Sequence, residues 1–153
     1  MAYADTIREE QATFTTTANL IDGLLIQNGQ ETLAGTVSTT SITYVDAGLS
    51  VVRTTAASAV VIGLAIFGAS VASTGHAMYA GLSVDSTSSP SIIISFYPQL
   101  SYTDGRQEII TIPYIFTGLS AGSHTFRLLW KVDNGATAYM TNRNLLIFAG
   151  VSS

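Results

Sequence analysis

The amino-acid sequence predicts an all-β protein: an antiparallel β-sandwich, jelly-roll-like, preceded by a short N-terminal arm. Three observations predict it. From residue 37 onward, apolar runs recur at short intervals between turn signals and no long helix is indicated, which is the pattern of a sandwich or barrel. The most apolar run, AASAVVIGLAIFGASVA, is rich in β-branched Val60, Val61, Ile62 and Ile66 and holds Gly63 and Gly68, each costing a helix interior close to 1 kcal/mol relative to Ala. The segments between runs, such as ASTG, STSSP, TDGR and DNG, carry the Gly, Asn, Asp, Ser and Pro that turns require. At 153 residues the chain fits one domain with one core.

Residues 1–36 read differently and are assigned to an arm that serves docking or assembly, with the sandwich at 37–153. The arm holds Asp5, Arg8, Glu9, Glu10, Asp22 and Glu31, a polar FTTTAN tract and the patch LIDGLLI. Thr6 to Glu9 has capping-box spacing for a short helix. Leu20, Ile21, Leu24, Leu25 and Ile26 are too few for an independent core and too apolar for a solvated tail; they are the candidate docking segment. The acidic start shows no basic-then-apolar export signal.

Strands are expected at 41–52, 59–69, 76–85, 91–102, 108–116, 124–132, 136–140 and 145–150. In the second of these, Val60, Ile62, Leu64 and Ile66 point one way and Val61, Ala65 and Phe67 the other, so both faces are apolar. The uninterrupted apolar part is about half the ~20 residues of a membrane helix, which excludes a span. A strand apolar on both faces implies a second partner beyond the core, and Val61, Ala65 and Phe67 are the candidate subunit interface.

Pro98 and Pro113 would each remove a ladder donor, marking edge or bulged strands. Asn134-Gly135 in WKVDNGATAY predicts a type I′ hairpin pairing Val132 with Thr137 and Trp130 with Tyr139. His124, Phe126, Leu128, Trp130 and Val132 then share the core face. That hairpin also sets Leu129 opposite Met140 on the face carrying Arg127 and Lys131, adding both to the candidate interface.

The chemistry is sparse. Charged residues are 10% of the chain against 47% hydrophobic, and Ser and Thr number 37; a hydroxyl-rich surface loses less on desolvation than an ionic one, which suits close protein contact. A net charge of −4 with Lys131 as the one lysine argues against binding nucleic acid. There is no Cys, and His76 and His124 lack metal-ligand spacing. No nucleotide or calcium motif occurs, so no cofactor is expected. Gly118-Leu119-Ser120-Ala121-Gly122 matches the nucleophile-elbow string with His124 nearby, but strand-forming SHTFRLLWKV follows where the elbow needs a helix; no enzymatic activity is expected. Asp85, Asp104, Glu108 and Asp133 fall at strand ends, where carboxylates cap backbone donors.

The stretch GLSAGSHTFRLLWKVDNGATAYMTNRNLLIFAG, through Gly118, Leu119, Ala121, Gly122, His124, Thr125, Phe126, Trp130, Gly135, Thr137, Arg143 and Leu145, resembles the C-terminal part of small β-sandwich proteins of tailed-phage virions, the head decoration proteins and fibre knobs. TTSITYVDAGLSVV looks like the opening strands of such a domain. The resemblance implies a jelly-roll or tumour-necrosis-factor-like sandwich that assembles as a homotrimer in a virion, made in the host cytoplasm. The short arm and the lack of a fibre shaft favour a capsid decoration or cementing protein, bound to the major capsid protein or another virion protein, over the alternative, a tail- or head-fibre knob binding a receptor glycan through loops at 86–89 and 103–106.

Overall fold

The computed structural model describes residues 27–72, 75–98, 107–133 and 135–149. The candidate docking segment Leu20, Ile21, Leu24, Leu25 and Ile26 and the Thr6 to Glu9 capping box lie outside the described residues, as do Asp104, Asn134 and the loop at 103–106. Among the described residues eight strands follow in order: β1 (Gln27–Thr39), β2 (Val45–Thr55), β3 (Ala59–Val71), β4 (Met78–Val84), β5 (Ile94–Phe96), β6 (Glu108–Leu119), β7 (Gly122–Val132) and β8 (Ala138–Ala149). They form two antiparallel four-stranded sheets ordered β1-β8-β3-β6 and β2-β7-β4-β5. Consecutive strands alternate between the sheets except for β4 and β5, which pair directly. Eight strands shared between two facing sheets in this way make a jelly roll.

Alternation along the strands builds the core. On β3, Val61, Ala65, Phe67, Ala69 and Val71 face inward; on β7, Phe126, Leu128, Trp130 and Val132 face them, and all are buried. Leu49, Leu82, Ile112, Phe116, Met140, Leu145 and Ile147 fill the remaining space. Burying each such side chain contributes about 1.5–3 kcal/mol, and edge-on contacts of Phe116 with Tyr114 and Phe126, at centroid separations of 4.8 and 5.1 Å, add directional packing.

Four expectations are corrected. The arm boundary at 36/37 falls inside β1, whose residues 27–36 pair with β8 along the sheet edge. The hairpin over residues 132–137 does not form a ladder: β7 and β8 lie in different sheets, and Trp130 pairs with Val45 and Ala80. Tyr139 pairs with Ser38 and Ser70. The chain crosses between sheets at that turn because the inner faces of both strands are apolar and each needs the other across the core. The predicted strands at 136–140 and 145–150 are one strand, β8, and TNRN is a bulge within it rather than a turn: Asn142 takes φ 45° and the β3 ladder slips between Ile66 and Gly68. The predicted strand at 91–102 is reduced to Ile94–Phe96 among the described residues.

Pro113 lies on β6, an edge strand of its sheet, and Pro98 follows β5, an edge of the other, where a missing N–H is tolerated.

Candidate interaction surface and buried polar groups

The outer faces of the two sheets differ in chemistry. On the β2-β7-β4-β5 sheet, Arg127 pairs with Asp46 at 3.4 Å, and Lys131 Nζ lies 5.0 Å from the Tyr44 ring centroid and 4.8 Å from that of Tyr79. Here cations cover aromatic and aliphatic surface in the manner of a solvated face.

The β1-β8-β3-β6 sheet is the opposite. Its central rows read Ile115, Ile62, Phe148 and, one row on, Pro113, Leu64, Leu146, then Thr111, Ile66, Asn144. Val60, Ile62, Ile115 and Ile109 are 56, 44, 56 and 71% exposed, with Leu64, Ile66, Leu146 and Phe148 half-buried. None of these residues carries a charge. Beyond Ile66 the patch is mixed: Gln107 and Thr141 stand over Gly68 and bond to each other, while Ile109, the partner of Gly68, stays exposed beside them.

The candidate interface residues are placed elsewhere. Val61, Ala65, Phe67 and Met140 are in the chain's own core. The two-faced apolar strand is present as read, but the assignment of faces is reversed: the side bearing Val60 and Ile62 is the exposed one. Leu129 does lie on the outer face, paired with Asp46 and Gly81 rather than facing Met140, yet it is buried. The Pro90–Ile92 segment lies over Gly81, with the Ile92 carbonyl where a Cβ would stand, so this patch is covered by the chain itself.

His124 sits on the inner face at the end of β7. Its Nδ1 meets Asp85 Oδ2 at 2.6 Å and its Nε2 meets the Ser120 carbonyl at 2.9 Å. Both partners present acceptor oxygens, an arrangement that favours a proton on each nitrogen and hence the imidazolium form. The Ser120 carbonyl, Asp85 hydrogen bond and Asp85 charge raise the His124 pKa above its ordinary value against the opposing effect of burial. Burial pushes Asp85 up, but the Thr125 N–H and His124 together hold it below the usual carboxylate range. His124 thus meets the carbonyl of Ser120, which also accepts from Thr55 Oγ1 at 2.9 Å, and not its hydroxyl. The residue after Ser120 leads into strand β7, so the elbow geometry is not formed.

Asp133 plays a similar part at the other end: Oδ2 accepts the Ala77 N–H and Oδ1 meets His76 Nδ1, both at 2.8 Å. Burial raises its pKa, and these two bonds more than reverse that. Asp85 and Asp133 are the backbone caps that the sequence predicts. Among the described residues no three His, Asp or Glu side chains gather as a metal site, and no helix is long and apolar enough to cross a membrane.

Sequence reasoning missed the buried Arg143. The extra residue at Asn142 shifts the alternation of β8, so that Arg143 turns inward, as bulges commonly re-aim a side chain. It is 5% exposed, and its Nη1 donates to the Ala47 carbonyl, which a second irregularity frees between Asp46 and Ser50 of β2. Nε has no acceptor. Burial lowers the Arg143 pKa, with Glu31 acting the other way. The signal was legible: Ala138 and Met140 fall on even positions and Leu145, Ile147 and Ala149 on odd ones, a change of phase that requires one extra residue.

No family model and no curated protein matches the chain. Solved structures with similar folds include dimeric latent PorU from Porphyromonas gingivalis, at 11% identity and a TM-score of 0.46 over 82% of this chain and 13% of that one. The Gx strain of infectious bursal disease virus follows at 13% identity and 0.41, over 80% of this chain and 32% of that one. TmCBM61 in complex with β-1,4-galactotriose is 10% identical at 0.35, over 79% of this chain and 87% of that one. The chain therefore spans less than a third of the first two proteins.

Proposed function

We propose that this chain is a non-enzymatic structural subunit of a phage virion, a trimeric capsid decoration or cementing protein, whose copies meet through the outer face of the β1-β8-β3-β6 sheet. One observation carries the reading: that face exposes Val60, Ile62, Ile109 and Ile115 around half-buried Leu64, Ile66, Leu146 and Phe148. Three strands about 4.8 Å apart and some eight residues at about 3.3 Å give a footprint of roughly 14 by 26 Å. Contiguous apolar patches of that order mark interaction sites, and this one has the size of the dry centre of an interface burying about 800 Å² per partner. The occupants are two further copies around a three-fold axis, because an uncharged apolar face packs against the like faces of its neighbours, whereas a charged partner would leave its ions unpaired against it. Residues 20–26 then serve as the docking arm toward the major capsid protein or another virion protein.

Sedimentation analysis with Ile62→Asp and Ile115→Asp tests the reading. Wild type sediments as a trimer and binds shells, and the variants fold as monomers that bind weakly. A wild-type monomer with no affinity for capsids overturns it.

A further inference from the structure

A cavity of about 280 Å³ opens along the flank where the edge strands β1 and β2 face each other, lined by Val37, Thr39, Asp46, Ala47, Trp130 and Arg143 among others. This is just under the ~300 Å³ at which small-molecule pockets begin. Trp130, Val37 and Ala47 give it apolar lining, and Thr39, in phase with inward Val37, adds a hydroxyl-bearing residue. Arg143 is the unusual member. It is 95% buried by the complement of its 5% exposure, yet among the described residues no carboxylate forms an ion pair with it. Nη1 spends one N–H on the Ala47 carbonyl and Nε has none. Glu31 feels its charge, but Glu31 Oε2 accepts the Ser50 N–H. A buried guanidinium without a counter-ion is costly, and its fork of donors fits a carboxylate in a bidentate arrangement.

We infer that this cavity binds a compact monocarboxylate bearing hydroxyl groups, of sugar-acid chemistry, with its carboxylate on Arg143 and its body against Trp130. Phosphate and other dianions are disfavoured because Arg143 is the one cation among the lining residues, so the second negative charge would be left unpaired. Asp46 also borders the cavity, but its carboxylate is engaged elsewhere: Oδ1 accepts the Gly48 N–H at 2.7 Å and Oδ2 pairs with Arg127 on the outer face.

Calorimetric titration and thermal unfolding at constant ionic strength, with glucuronate, acetate and inorganic phosphate as probes, test this. Glucuronate is expected to bind saturably and raise the Tm, acetate to bind more weakly, and phosphate not to bind. Arg143→Met, which removes a buried charge while keeping volume, is expected to stay folded and lose at least tenfold in glucuronate affinity. Arg143→Lys, which keeps charge without the fork, falls between. Absence of saturable glucuronate binding, equal binding by Arg143→Met and wild type, or phosphate binding to wild type as tightly as glucuronate would each overturn the proposal.

Discussion

Val61 and Ile62 are consecutive on β3 and stand back to back: Val61 is fully buried between the sheets, whereas Ile62 is 44% exposed beside Ile115 and Phe148. A period of two separates a folding role from a contact role across one peptide bond.

The pair yields a discriminating experiment. Val61→Asp is expected to destabilise the fold by several kcal/mol, because it buries a carboxylate with no partner. Ile62→Asp keeps its carboxylate in water on the isolated chain and is expected to change stability by less than about 1 kcal/mol. Urea unfolding of the two variants and wild type, diluted until wild type too is monomeric and monitored by Trp130 fluorescence, checks this; equal losses would mean that Ile62 is as enclosed within the chain as Val61.

The clamp formed by His124 predicts how stability varies with pH. Its folded pKa is raised, so its contribution is fully present below the unfolded value of about 6.5 and is lost as pH climbs through the folded value. Asp85, held low, contributes above the unfolded value of about 3.9, and that part is lost as acid takes the pH down through the folded value. His124→Gln is expected to cost about 1–3 kcal/mol near pH 5.5. The deficit should shrink toward pH 9, as wild type loses the same charge. Parallel urea midpoints of wild type and variant from pH 5 to 9 measure it, and a deficit that grows with pH would contradict an imidazolium.

Gly81 offers a test of how Leu129 is covered. A Cβ at position 81 would meet the carbonyl of Ile92, whose segment is tied down by the Ser91 N–H on Leu82 O at 2.7 Å. Since backbone rather than a side-chain tip is in the way, Gly81→Ala is expected to cost about 2 kcal/mol or more. It should also lift residues 90–92 and expose Leu129, seen as faster amide exchange at Ile92. A neutral substitution would show that this segment is not fixed on the sheet.

The sequence carried the sandwich well because period-two alternation is a strong local signal: the inward set on β7 is buried as the alternation implies. It carried the two-faced character of β3 equally well, but a strand with both faces apolar contains no local mark of which side meets the core. That choice is made by the ladder, which places the inward Val61 beside inward Phe116 and Ala149. The Asn-Gly turn misled for a related reason. Turn chemistry is local, whereas whether the flanking strands pair in one sheet or cross to the other is decided by where their apolar faces find partners. β1 went unread because Gln27–Thr39 has only Leu33 and Val37 as large apolar residues, and its pairing to β8 supplies what its side chains lack.

The bulge at Asn142 is the last point where sequence dictates site geometry, and it can be tested without touching Arg143. Asn142 adopts φ 45°, a conformation that Asn and Gly accept and β-branched residues resist. Asn142→Gly is therefore expected to be nearly neutral, and Asn142→Val to cost about 1–2 kcal/mol. Deleting Asn142 is different in kind. It removes the phase change, so β8 can keep Leu145, Ile147 and Ala149 inward only by turning Ala138, Met140 and Tyr139 about, or the reverse; either way Arg143 faces outward or apolar side chains leave the core. The deletion variant is expected not to fold cooperatively, as judged by loss of a sharp thermal transition, and a deletion variant with wild-type stability would show that the bulge does not set the phase of β8.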